Sequence, residues 1–298
     1  MILCSQLPPS LTLPHKGGGD KSALVTETEN SQTFLANRAT GHIGLSVIAA
    51  DGVTRRAQVH EHGSLRARFP NTHDAALEAV IVNTGGGMTG GDRFTVDMAV
   101  DEGASLVAGT AAAEKIYRST GPAAEMNVTL KVAAGGRLAW LPQETILFDR
   151  ARLSRRIDID LAGDAALVMV EAVVFGRAAM GETLAEGDFI DRWRLRRDGR
   201  LIYADTAKLC GAIAEQLGHR AVADGGIALA TVLVAPGGGD ELERVRALGD
   251  TFVGEAGISS WNGVAVARLI AKDGASLRHD IIALLAALGT AVPRLWLQ

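Results

Sequence analysis

The chain is poor in the residues that staple or mark specialised proteins. It has two cysteines in 298 residues, Cys4 and Cys210, too few for a disulfide framework, and a reducing compartment suits them better than an oxidising one. Aromatic residues make up 4%, so Val, Ala, Leu and Ile must fill the core. The net charge is −4, which gives no electrostatic footprint for nucleic acid. No apolar run reaches the roughly 18–20 residues that a membrane span requires. The first residues lack a basic segment leading into an apolar one, so no signal peptide is expected and the cytoplasm is the default location. HExxH, CxxC and GxSxG motifs are all missing, which removes the usual sequence marks of zinc and serine hydrolases.

What is abundant is glycine, 35 residues, within a composition that is 47% hydrophobic. Many tight turns around a sizeable core are therefore expected. Residues 1–33 stand apart: Pro8-Pro9, Pro14 and Gly17-Gly18-Gly19 interrupt a stretch without amphipathic period. It reads as a disordered leader or an over-extended start, with one domain over 34–298. The GGGDKS string at its centre is no phosphate loop, because Asp20 stands where the glycine before the lysine is needed.

Beyond the leader, apolar and polar residues alternate in short segments. Phe94, Val96, Met98 and Val100 form one such set; Val128, Leu130 and Val132 a second; Ile157, Ile159 and Leu161 a third. Leu45 and Val47 lead into Asp51-Gly52, and Trp193 and Leu195 into Asp198-Gly199 and then Leu201 and Tyr203. Period-two patterning between turn signals predicts an all-β sandwich, barrel or solenoid. Ala165 to Phe175 is apolar on both faces except Glu171, as in a strand buried on both sides. Segment 108–117 is ambiguous, since Ala111 to Ala113 favour helix. Two helices are expected late in the chain. One carries Leu242, Val245, Leu248 and Phe252 with Asp240 as cap; the other carries Leu277, Ile281, Leu284 and Leu288, capped by Ser276 and stopped by Gly289.

The densest local signal is Asn83 to Asp92, with Gly85, Gly86, Gly87, Gly90 and Gly91. Such a run serves either a tight structural turn or a backbone loop cradling a phosphorylated ligand. Lys115, Glu144 and Asp149 are charged residues among apolar ones, either satisfied ion pairs or the lining of an internal passage. His60 and His62 share one side of a strand and are a candidate metal pair, with His73 the nearest third ligand. The arginine row at 192–200 suits solvent or a protein partner.

Five blocks, taken in order, resemble the urease accessory proteins of the UreD (UreH) family. They are GGGMTGGD at 85–92, EKIYRS at 114–119, LAWLPQETILFDRARL at 138–153, FGRAAMGE at 175–182 and DRWRLRRDGRLIYAD at 191–205, with Pro293 to Trp296 resembling the family's ending. The resemblance covers about 36–298. It departs in the leader and at Asn83-Thr84, where family members often carry prolines. It implies a mainly β fold, a β-helix-like stack of many short strands with two α-helices near the C-terminus, and an extended 108–117. It also implies a non-catalytic partner of UreF, UreG and apo-urease, binding no nucleic acid or membrane and no cofactor tightly, through which Ni²⁺ passes transiently. By motif position the implied metal path holds Asp92, Lys115, Glu144, Asp149, Glu171, Glu182 and Asp205. Carboxylate oxygens suit passage because they release the ion more readily than His or Cys clusters do. The rival readings are an enzyme or binding protein using loop 85–92 for a phosphorylated ligand, and a metal-storing protein using His60 and His62.

Overall fold

The computed structural model describes residues 38–71, 74–177 and 180–297; residues 1–37, and with them the whole of the expected leader and Cys4, lie outside it. Ala39 to Gln298 form one compact unit. Within it the three alternating segments become strands β5 (Arg93–Val100), β8 (Ala124–Val132) and β11 (Arg152–Leu161), and the alternating apolar residues named above are all buried. These strands pair in parallel, side by side. The steps between them pass through β6 (Ser105–Thr110) and β9 (Arg137–Leu141) of a second sheet, and β12 (Ala166–Phe175) follows β11 in the same way, these three also parallel. The chain therefore winds as a β-solenoid. Phe94 lies beside Met126 and Met126 beside Arg155, so one turn takes about thirty residues.

Antiparallel hairpins close both ends of the stack. At one end, β1 (Thr40–Ala50) and β2 (Val53–Gly63) finish the first sheet, while β3 (Leu65–Arg68) and β4 (Leu77–Asn83) finish the second. At the other, β13 (Glu186–Arg197) and β14 (Arg200–Ala212) complete a seven-stranded sheet, order β14-β13-β11-β8-β5-β1-β2. The second, ten-stranded sheet ends in β15 (Ala228–Ala235), β17 (Val264–Ala271) and β16 (Glu255–Trp261). Asp51-Gly52 and Asp198-Gly199 both take positive φ in the β1–β2 and β13–β14 turns, as their residue types require. Beyond the second turn Tyr203 is buried but Leu201 is exposed.

A short third facet joins the two sheets at one corner. It consists of Met88, β7 (Glu114–Ile116), β10 (Thr145–Leu147) and the end of β12. Met88, Ile116, Leu147 and Phe175 stack there in register, all buried. Segment 108–117 forms no helix: β6 passes through a bend at Ala111 and Ala112 into β7, and strand pairing on either side outweighs the helix propensity of the alanines.

Two cores result. One lies between the sheets; the other lies outside the ten-stranded sheet, where Val170, Ala172 and Val174 meet Leu277, Ile281, Leu284 and Leu285. The second core explains the two-faced apolarity of β12. Those last four side chains belong to the terminal helix Gly274–Ala287. Its cap is Asp273, which accepts from the Ser276 N–H at 2.8 Å; Ser276 sits inside the first turn, and Gly289 ends the helix at φ 71°. The earlier helix, Gly239–Arg246, is shorter than expected: Asp240 lies within it, Gly238 precedes it and donates its N–H to Glu241 at 2.8 Å, and Leu248 and Phe252 fall beyond its end. A third helix, Ile213–Gly218, carries too short a pattern to be read in advance. No helix among the described residues is long and apolar enough to cross a membrane.

Candidate functional site

The glycine loop is folded onto its own protein. Gly86, Gly87 and Gly91 take φ of 76°, 152° and 87°, which favours glycine. A Cβ on Gly87 would stand 2.5 Å from the Tyr117 ring, and one on Gly90 1.8 Å from Ser119 Oγ. Most of the loop's N–H groups already donate inward: Gly85 to Asn83 Oδ1, Met88 to the Lys115 carbonyl, Thr89 to Asp92 Oδ2 and Gly91 to the Ala123 carbonyl. The Tyr117 hydroxyl closes the loop on the Gly86 carbonyl at 3.0 Å. Of the two readings of this loop, the structural turn fits this geometry; a phosphate cradle needs those donors free.

The seven residues of the implied metal path scatter. Asp92 is buried in the loop and fastens the Ala39 and Thr89 N–H groups at 2.8 Å each. Lys115 faces outward on β7 and is exposed. Glu144 accepts from Arg278 of the terminal helix at 2.7 Å. Asp149 accepts from the Ala185 N–H at 2.9 Å, while Glu182 receives the Asp149 N–H at 2.7 Å and pairs with Arg177. Asp205, on β14, pairs with Arg268 of β17 at 2.7 Å. Only Glu171 is buried deep between the two sheets; Asp205, half-buried on the same face of β14 as Tyr203, bridges to the opposite sheet at the edge of that space.

Around Glu171 the structure gathers residues that the sequence reading passed over. Arg155, buried on β11, makes a two-pronged contact with Asp191 of β13, Nε to Oδ1 at 3.0 Å and Nη2 to Oδ2 at 2.6 Å. Its Nη1 reaches across to Glu171 of the facing sheet and to Thr145 Oγ1 at 3.5 Å. Trp140 donates its indole N–H to Glu171 at 2.8 Å. Thr145 pairs in register with Glu114 on β7, and Glu114 accepts from Asn83 Nδ2 at 2.9 Å. Asn83, Glu114, Thr145, Arg155, Glu171 and Asp191 therefore form a polar file through an otherwise apolar interior, running along the solenoid from β4 to β13.

Burial sets the electrostatics of this file. It pushes the Glu114 carboxyl up to about 7, against the Asn83 hydrogen bond, which lowers it. It likewise raises Glu171 to about 7, opposed by Arg155 and reinforced by the neighbouring Asp191. For Arg155 burial acts downward, but Asp191 and Glu171 outweigh it and hold the guanidinium charged. A signal for Arg155 did exist: an arginine at an inward position of an alternating strand requires a buried counter-ion.

His60 and His62 are exposed on β2, the edge strand of the seven-stranded sheet. His73 lies outside the described residues. Among the described residues, no three His, Cys, Asp or Glu side chains are drawn together in a way that would already hold a metal.

A stack of about thirty-residue turns that encloses a charged file between two sheets defines the class: a β-solenoid whose apolar interior is threaded by a polar file. The family model for the UreD urease accessory protein matches residues 39–297. A Urease accessory protein UreD of Rhodopseudomonas palustris is 55% identical over 277 residues, covering 93% of this chain and 99% of its own. Another of Bradyrhizobium diazoefficiens is 55% identical over 268 residues, covering 90% and 97%. The chain belongs to the UreD family of urease accessory proteins.

Proposed function

We propose that this chain is a non-catalytic scaffold for urease maturation in the cytoplasm, joining UreF and UreG to apo-urease and passing nickel ions through its interior. The observation that carries the second half is the buried file. An otherwise apolar core has no packing reason to hold Glu114, Glu171 and Asp191, whose oxygens suit a hard or borderline divalent cation. Burial raises Glu114 and Glu171 to about 7, so near neutral pH each exchanges a proton readily, as a ligand must before taking up a metal ion. Arg155 stands across the path as a fixed positive charge, and an ion passing Glu171 has to displace it. GTP hydrolysis falls to a partner, because this chain has no Walker loop.

The test is co-expression of the chain with UreF, UreG and apo-urease, reading complex formation by co-purification and nickel per urease by elemental analysis. Glu114→Gln and Glu171→Gln are expected to lower the nickel content several-fold while the complex still assembles. Unchanged nickel in an intact complex removes the conduit; failure of the parent chain to join the complex removes the scaffold.

A further inference from the structure

A second group of metal-binding side chains lies on the outer face of the seven-stranded sheet, apart from the interior file. His42 on β1 places Nε2 2.9 Å from Asp97 Oδ2 on β5. Its ring stands 4.9 Å, centroid to centroid, from that of His60 on β2. The three come from three adjacent strands. Gly44 lies between them in register, opposite Asp97 on one side and His60 on the other. A Cβ on Gly44 would stand 3.4 Å from His60 Cβ and 3.9 Å from His42 Nε2, so the missing side chain leaves space beside the imidazoles. That space is part of an open groove lined by Gly44, His60, Asp97, Thr129 and Lys131.

We propose that His42, His60 and Asp97 bind a divalent transition-metal ion, nickel(II) among them, above Gly44. Two donors bound to one metal at roughly 2.0–2.2 Å each stand about 3 Å apart, which is the separation His42 and Asp97 already have. Metal uptake replaces the hydrogen bond between these two groups, with neutral His42 binding through Nε2 as the tautomer that carries its one hydrogen on Nδ1. His60 supplies the third bond. The set is not preassembled, and closing it requires the exposed His60 ring to rotate toward Gly44 into another staggered position. Water fills the remaining positions, so the ion is held on the surface and given up again. Two imidazoles and one carboxylate suit nickel, copper and zinc better than magnesium or calcium. His62 shares the face, opposite His42 in register, and stands beside the site. The inference is independent of the interior file.

The experiment is titration of the purified full chain with Ni²⁺ alone by calorimetry, with Co²⁺ absorption reporting the ligand field. One equivalent is expected. His42→Ala, His60→Ala and Gly44→Val should each weaken binding about tenfold or more, on the scale of losses at designed metal shells. Gly44→Val is the decisive variant, since it keeps every ligand and fills only the space, in a strand position that tolerates valine. Thermal melts matching the parent show that each variant is folded. The proposal is overturned if the parent binds no Ni²⁺, if Gly44→Val and His60→Ala bind as the parent does, or if only His62→Ala weakens binding. Urease maturation does not enter the readout, so its failure would leave the accessory role untouched.

Discussion

Arg155 is the residue on which the interior depends. It neutralises carboxylates from both sheets, Asp191 beside it and Glu171 across the core, where all three side chains are buried. Removing one member of a buried charge group costs more than removing all of them, because the remainder is left uncompensated. Arg155→Met is therefore expected to lower the unfolding free energy by about 3–5 kcal/mol in urea titrations. Combined with Glu171→Gln and Asp191→Asn it should lose less than the single variant, and a larger loss in the triple would refute the charge argument. Glu114 gives a pH-dependent counterpart. Its carboxyl titrates at about 7 when folded against 4.5 as a free group, so the folded state binds the extra proton. Stability therefore falls as pH rises from 4.5 to 7 and levels off above. Partial exposure on β7 limits the effect to about 1–2 kcal/mol. Glu114→Gln should remove this slope, being the more stable protein at about pH 8 and nearly equal to the parent at about pH 5, checked by unfolding at both.

At the scale of elements, the third facet brings the sequence blocks together. GGGMTGGD, EKIYRS, QETILF and the end of β12 are far apart in the chain, yet they supply Met88, Ile116, Leu147 and Phe175 to one column. Each turn rests on the one before, as repeat stacks do. Leu147→Ala should cost about 2–5 kcal/mol, through lost burial and a cavity bounded by both neighbours. A substitution outside the column, such as Leu201→Ala at an exposed position, should cost less than about 0.5 kcal/mol by the same unfolding measurement. Resemblance to a family picked out these blocks, but neither periodicity nor composition reveals that they touch. Parallel register is set by where successive turns begin, and the lengths of the connecting corners decide that.

At the scale of the whole molecule, the terminal helix turns a two-sheet stack into a three-layered body. It covers the outer face of β12, and its Arg278 reaches back to Gln143 and Glu144 at 2.7 Å each. Asp280 of the same helix takes the Val253 and Gly254 N–H groups at 2.8 Å, tying the entry to β16. Because this unit begins at Ala39, a chain lacking residues 1–37 is expected to unfold in one transition at the temperature of the full chain. Calorimetry checks this. A fall of several degrees would show that the first residues contribute to the fold.

The sequence by itself determined the local rules. Alternation at 94–100, 128–132 and 157–161 named the buried faces, Asp-Gly pairs named two turns, and the two-sided apolarity of 165–175 marked a covered strand. These are properties of a strand and its immediate neighbours, so they are visible in a short window. Only the tertiary structure decided which charges meet. Glu144, Asp149, Glu182 and Asp205 look alike in sequence to Glu171, yet they end in ion pairs and backbone bonds away from the buried file, Asp205 bridging the two sheets at their edge. Glu114, Arg155 and Asp191 went unread and stand inside with Glu171; His42 and Asp97 went unread and stand beside His60. The physical reason is that the environment of a charge is set by the strand opposite or the next turn, about thirty residues away, and by which way the pleat points it.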